Sequence, residues 1–399
     1  MISRQERYVL CLLPIPSTKT IIYEIMRNIS YLNLKAINAP CQQAIKDALT
    51  EVVDSGWYLR GKCVERFESE WAAYCGQRYC ASCSSGLDAL TLVLKAWKEA
   101  ELLTDGDEVI VPANTFIATF LAVSEAGLRP VPVDPDPITC LITTEGIERA
   151  LTSDTRAIVP VHLYGQLCEM DEIMNLALRH NLLVLEDCAQ CHGINHLFDR
   201  QRALVPETHH ACAWSFYPGK NLGAMGDAGA VTTDSQWLSN MVKTLANYGC
   251  SEKYIHDYKG RNSRMDEFQA AVLTAKLPDL DRCNQHRIEI AHRYIDEIVG
   301  SDVSMPAVTT ASVFHIFPIM SNKRDALQSF LAERGIQTQI HYPIPAHKQK
   351  AYPEWKGLSL PVAEAMSSRE LSLPCNQAMD EDDVSAVISA VNEFFAQNR

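Results

Sequence analysis

Between about residues 84 and 235, stretches with apolar residues at helical spacing alternate with short runs of Val, Ile, Leu and Ala. The runs cover 109–112, 131–134, 157–161, 182–186, 211–216 and 228–233. Runs that are apolar throughout, rather than alternating with polar residues, suit strands covered on both faces. Helix–strand alternation of this kind builds a mostly parallel sheet. Beyond residue 233 the spacing turns helical through 236–247 and 265–300, and a mixed segment follows with a strand-like run at 313–320. The pattern therefore predicts an α/β chain with a large domain over 29–280 and a smaller α+β domain over 281–399. There is no internal repeat, low-complexity tract or Pro-rich linker, so the two domains are expected to be joined by a helix rather than a tether.

Residues 1–28 stand apart. Arg4 and Arg7 precede an apolar patch at 9–15, which looks like a secretory leader. The patch is too short, contains Pro14 and is followed by Pro16, and has no small-residue cleavage site downstream. The expectation is a loosely attached extension, or a true start at Met26. Composition narrows the rest: 47% hydrophobic and 21% charged residues exclude disorder and fibrous folds for these 399 residues. The net charge of -13 disfavours nucleic acid and anionic membrane as partners, and no apolar stretch approaches the ~20 residues of a membrane span. Fourteen cysteines are sparse for a disulfide scaffold in a chain this long, and Cys140, Cys188 and Cys212 lie in or beside apolar runs, as free thiols in a reducing cytoplasm do.

Three segments carry candidate chemistry. Ser84-Ser85-Gly86-Leu87-Asp88 opens an apolar helix. Small residues there make an ordinary Ser N-cap, and they equally expose N–H groups able to hold a phosphate. The run 182–185 ends in Glu186-Asp187, which places a carboxylate at the C-terminal end of a parallel strand, where α/β sheets bind ligands; a turn cap is the plainer role. Lys220 sits in the Gly/Pro-rich turn Tyr217-Pro218-Gly219-Lys220-Asn221 between two apolar runs. A desolvated lysine loses its proton readily, and this is the usual route to a Schiff base with a carbonyl cofactor. Phosphate-loop alternatives fail, because Gly219-Lys220 is followed by Asn221 and Gly61-Lys62 by Cys63. Cys80/Cys83 and Cys188/Cys191 form two C-x-x-C pairs more than a hundred residues apart, unlike the spacing of structural zinc sites, and no metal is expected.

Taken together these segments resemble the DegT/DnrJ/EryC1/StrS family of PLP-dependent nucleotide-sugar aminotransferases. The likeness runs from about residue 30 to 395. It is carried by Gly56-Trp57-Tyr58-Leu59-Arg60-Gly61-Lys62, Ser85-Gly86-Leu87-Asp88-Ala89-Leu90, Pro112-Ala113-Asn114-Thr115-Phe116, Val161-His162-Leu163-Tyr164-Gly165, Glu186-Asp187-Cys188-Ala189-Gln190, the segment 215–223, Gly260-Arg261-Asn262-Ser263-Arg264 and His341-Tyr342-Pro343-Ile344-Pro345. It implies the PLP-dependent aminotransferase fold type I: a large PLP-binding domain with a mostly parallel seven-stranded sheet flanked by helices, and a smaller α+β C-terminal domain. The chain is most similar to members that aminate the 3-position of dTDP-linked 3-keto-6-deoxyhexoses, with glutamate as donor.

By position, the resemblance makes Lys220 the residue that links to the cofactor and shuttles the proton. Asp187 becomes the partner of the pyridine nitrogen, Gln190 the neighbour of the 3-oxygen and Phe116 the stacking ring. Ser215 and the N–H groups of Gly86 and Leu87 would hold the phosphate; many relatives carry a hydroxyl residue where Leu87 stands. Asn262 would reach the phosphate from a neighbouring subunit, implying a homodimer with shared sites. Tyr217, Lys253, His341 and Tyr342 match hexose-contacting positions. Cys188 and Cys191 stand where many relatives have alanine, so the thiols are expected to make the enzyme sensitive to oxidation or adduct formation. A 4-keto substrate is the alternative within the family. A sugar dehydratase on the same scaffold replaces the lysine with histidine, and some carry an iron–sulfur cluster through C-x-C; this chain keeps Lys220 and has no C-x-C.

Overall fold

The computed structural model describes residues 27–194 and 205–398. The large domain is built on seven strands: β1 (Tyr79–Cys83), β2 (Glu108–Pro112), β3 (Arg129–Val133), β4 (Thr155–Ile158), β5 (Leu183–Asp187), β6 (His210–Ser215) and β7 (Gly229–Thr233), in the order β1-β7-β6-β5-β4-β2-β3. Every pairing is parallel except those of β7, which runs against both β1 and β6. Both faces of this sheet are covered. Ile110, Ile158, Val184, Cys212 and Trp214 enter one apolar cluster, while Val109, Val111, Ala157, Leu183, Leu185, Ala211 and Val231 enter the other. Burial of each such aliphatic side chain contributes about 1.5–3 kcal/mol, so strands of this composition are stable only inside a three-layer arrangement.

The differences from the sequence pattern have local causes. The run at 157–161 ends as a strand at Ile158, because Pro160 has no N–H to donate to the ladder; Val161 keeps one isolated bridge, to Asp187. The helical stretch 265–300 is broken into Glu267–Lys276, a 3₁₀ turn Leu277–Asp279 containing Pro278, and Leu280–Glu297. Of 313–320 only Phe317–Met320 is a strand, and Phe314 has a φ of 43° just before it.

In the C-terminal domain that strand pairs antiparallel with Glu370–Leu373, and the helices Leu280–Glu297, Arg324–Glu333 and Glu381–Gln397 pack on the pair. Residues 27 and 28, the end of the expected extension, and 29–31, expected to open the large domain, join this smaller domain instead. Ile29 is buried in its core, its N–H donates to Gly335 O and its carbonyl accepts from Gln337 N–H (2.8 and 2.9 Å). Arg27 pairs with Asp380, Asp382 and Asp383 at the start of the last helix. The rest of the expected extension, residues 1–26 with Met26, lies outside the described residues. Among the described residues no helix is long and apolar enough to cross a membrane.

Candidate active site

The C-terminal ends of β5 and β6, the start of helix Gly86–Glu99 and segments of the small domain enclose a cavity of about 620 Å³. Lys220, Asp187, Gln190, Ser215, Gly86, Leu87, Phe116, Tyr217, His341 and Tyr342 all line it. Lys253 and Asn262 do not: both are exposed, Lys253 in the hairpin beyond Cys250–Glu252 and Asn262 bridged to Asn247.

Asp187 ends β5 and is buried. Its Oδ2 accepts from Thr119 Oγ1 (2.9 Å) and its Oδ1 from Ala189 N–H (3.1 Å). Burial pushes the Asp187 pKa up, against the pull of these two donors and of the nearby Lys220. No arginine or lysine forms an ion pair with it among the described residues. The carboxylate is thus held in place and short of a cation, the condition that suits a protonated ring nitrogen. Lys220 follows the turn after β6, where Lys220 N–H donates to Tyr217 O (2.8 Å). Burial lowers its pKa to about 8, with Asp187 working in the opposite direction. About a tenth of the amine is therefore neutral at pH 7, some hundreds of times more than for an ordinary lysine.

Ser85 caps the helix Gly86–Glu99, its Oγ accepting from Asp88 N–H (3.1 Å). The cap does not exclude the phosphate reading of this segment: it uses the Asp88 donor, while the N–H groups of Gly86 and Leu87, at the helix start, have no intrahelical acceptor and both residues line the cavity. A Cβ on Gly86 would lie 2.5 Å from Ser215 Cβ, so glycine is what lets the helix start close on Ser215. These donors and the serine hydroxyl lie in one cavity with Lys220 and would suit a phosphate, so the residues present fit pyridoxal phosphate.

Gln190 bridges two aromatic residues, accepting from Tyr164 N–H (2.5 Å) and donating to Tyr342 OH (3.2 Å). Tyr342 in turn packs against Phe116, with ring centroids 5.3 Å apart. His341 N–H donates to Glu370 (2.5 Å) and its Nδ1 meets Ser372 Oγ (2.7 Å); burial and then Lys220 lower its pKa to about 4, so the ring is neutral. Thr119, Tyr31, His315 and Arg287 also line the cavity and were not singled out from sequence. Thr119 lay one turn beyond Thr115 in the motif ending at Phe116, the only hint available.

Behind Asp187 lies a buried network. Glu186 accepts from His162 Nε2 (2.8 Å) and from His210 Nε2, while His162 Nδ1 accepts from Cys168 N–H (3.2 Å). Burial alone would raise the Glu186 pKa; the two histidines hold it well below the usual range. Cys188 and Cys191 approach His162, and Cys188 and Cys212 approach Glu186, all within 4.8 Å. With both His162 nitrogens already engaged, this network pins the end of β5. The surroundings of the thiols argue against the expected sensitivity: Cys188 and Cys191 are fully buried, and burial raises both pKa values, that of Cys191 to about 11. Protonated, enclosed thiols are poor nucleophiles.

Residues 40–392 match the model of the DegT/DnrJ/EryC1/StrS aminotransferase family. The chain belongs to this family. It is 47% identical over 368 residues to dTDP-3-amino-3,6-dideoxy-alpha-D-galactopyranose transaminase of Aneurinibacillus thermoaerophilus, covering 92% of this chain and 99% of that one. The crystal structure of S. venezuelae DesV in complex with a ketimine intermediate superposes with a TM-score of 0.87 at 40% identity, over 92% of this chain and 98% of the other. NtdA from Bacillus subtilis, with bound cofactor PMP, gives 0.85 at 32% identity, over 93% and 86%. The family member described here is a PLP-dependent sugar aminotransferase with the α/β fold of these enzymes, and its cofactor is pyridoxal phosphate.

Proposed function

We propose that this aminotransferase moves an amino group from glutamate to the 3-keto carbon of a dTDP-linked 3-keto-6-deoxyhexose, giving a dTDP-3-amino-3,6-dideoxyhexose, and that it works as a homodimer with shared sites. The observation that carries the reading is the joint lining of one cavity by Lys220, Asp187 and the Gly86/Leu87/Ser215 cradle together with His341 and Tyr342. The name of the Aneurinibacillus relative supports the 3-position and the nucleotide. The match covers 99% of that enzyme.

Pyridoxal phosphate, when bound, supplies an aldehyde that joins to amines and a ring that draws electrons from the adjacent carbon. The rest is the work of this chain. Lys220 Nζ would take a proton from the donor's α-carbon and pass it to the cofactor carbon in the first half, and in the second half take a proton from that carbon and pass it to the sugar carbon that receives the amine, exchanges that a lysine with a pKa of about 8 can make in both directions. Asp187 keeps a proton on the ring nitrogen. The helix start and Ser215 anchor the phosphate, so the reacting carbon stays beside Lys220. Gln190 and Phe116 hold Tyr342 in the cavity, where it would meet the sugar.

The test is a visible spectrum of the PLP-loaded enzyme before and after glutamate, followed by addition of dTDP- or UDP-linked 3-keto and 4-keto hexoses. The expected outcome is loss of the lysine-bound cofactor band with glutamate and its return with the dTDP-linked 3-ketone alone. Lys220→Ala loses turnover by at least about 10³-fold. Return of the band with a 4-ketone or only with UDP-sugars would sink the specific assignment.

A further inference from the structure

Helix Leu280–Glu297 buries Leu280, Asn284, Arg287, Ile290, Ala291 and Tyr294, a single stripe at helical spacing. Two of those positions carry polar residues where the packing pattern asks for apolar ones, and such breaks of a local rule mark sites under functional demand. Asn284 is fully used: Nδ2 donates to His192 O and Oδ1 accepts from Asn221 (both 2.8 Å). Arg287 is not. It is 2% exposed, and only Nη1 is engaged, by the carbonyls of Cys375 and, at 3.4 Å, His315. Its Nε is buried without a partner. Among the described residues no carboxylate pairs with it; the groups that favour its charge are Cys375, Tyr31 and Cys283.

A buried guanidinium lacking an anion is costly unless something else supplies one. Arg287 lines the cavity together with His315, Tyr31, Gln339 and Cys375, on the small-domain side. His315 and His341 are held neutral there, first by burial and then by Lys220. The phosphate cradle at Gly86 and Ser215 belongs to the large domain and has its own donors. The cavity therefore has a second anion-seeking wall whose fixed charge is Arg287.

We propose that Arg287 binds a carboxylate of the amino donor, holding the amino acid with its α-carbon toward Lys220. The proposal rests on the reading that the donor is an amino acid, glutamate above all. The planar guanidinium suits a carboxylate, and its two carbonyl contacts preset its orientation, so little ordering is left for the moment of binding.

The half-reactions separate the roles. The glutamate half is followed as loss of the lysine-bound band at increasing L-glutamate. The sugar half is followed from the amine-loaded enzyme at increasing keto-sugar. In Arg287→Gln the glutamate needed for half-saturation rises about tenfold or more. Arg287→Lys recovers part of the loss, and the sugar half and the bound PLP of the folded variants stay at parental values. Equal weakening of both halves would reassign Arg287 to the sugar nucleotide or to general structure, and loss of PLP would reassign it to the cofactor; either overturns the proposal. If Arg287→Gln does not fold, the proposal stands or falls on Arg287→Lys, which keeps the charge but loses the fork and so weakens only the glutamate half. If the parent ignores glutamate but accepts another amino acid, the glutamate reading fails while the same comparison with that donor still decides Arg287.

Discussion

At the residue scale, Lys220 makes the chemistry measurable without substrate. In the folded apoprotein its amine titrates near about 8, whereas in the unfolded chain it keeps its proton up to its ordinary 10.5. Between those values the unfolded state binds more protons, so stability rises with pH in that window and is level with respect to this group on either side. Melting temperatures of the apo parent, compared with apo Lys220→Met across pH 7 to 11, should show a steeper rise in the parent between about 8 and 10.5; parallel curves would mean that the lysine is not desolvated. Lys220 and Asp187 were legible from sequence because each breaks its surroundings, a charged residue in an apolar turn or at a strand end. Arg287 was not. It sits inside a stripe that reads as helix with or without it, and only the packing of the helix reveals that its side chain is enclosed.

At the element scale, the site is a junction of a helix start with two strand ends. Gly229, the first residue of β7, has no room for a Cβ, which would fall 2.2 Å from Ser85 O. Gly86 has the same constraint toward Ser215. Gly86→Ala should push the helix start away from Ser215 and weaken PLP binding by about tenfold, equivalent to about 1.4 kcal/mol. Gly86→Ala/Ser215→Gly relieves the clash with Ser215 Cβ but also removes the Ser215 hydroxyl from the cradle, so its PLP affinity should stay below that of the parent. Equilibrium dialysis against PLP reads both, and an unchanged affinity in Gly86→Ala would refute the cradle. The strands around this junction were legible because short runs of Val, Ile, Leu and Ala between helical stretches declare themselves. The exception is β1, whose Tyr79-Cys80-Ala81-Ser82-Cys83 has no aliphatic run and invited a metal reading instead. It is a strand because β7 pairs along its whole length, from Tyr79↔Thr233 to Cys83↔Gly229, a long-range contact that no local window contains.

At the scale of the whole molecule, the cavity accounts for all the site residues expected from the resemblance except two, and those two share a property. Lys253 and Asn262 are exposed and outside their own chain's cavity. Trp57, Tyr58 and Leu59 are 62%, 49% and 41% exposed, and Tyr254 beside Lys253 is 83% exposed. Large aromatic residues left in the open on a charged chain call for a partner. A twofold dimer would cover them and present Asn262 to the other subunit's phosphate cradle, since an isologous interface gives each site what it gives the other. If so, activity is divisible between chains. Lys220→Ala and Asn262→Ala should each be impaired alone. In a mixed dimer of the two, one site carries both defects and the other carries neither. Random reassociation of equal amounts should then restore about a quarter of parental turnover, half of the dimers being mixed and half of their sites intact. Unfolding and refolding the two variants together, with each refolded separately as control, provides the measurement. Recovery no greater than the mean of the separate controls would mean that each chain completes its own site, and Asn262 would lose its assigned role along with the shared dimer.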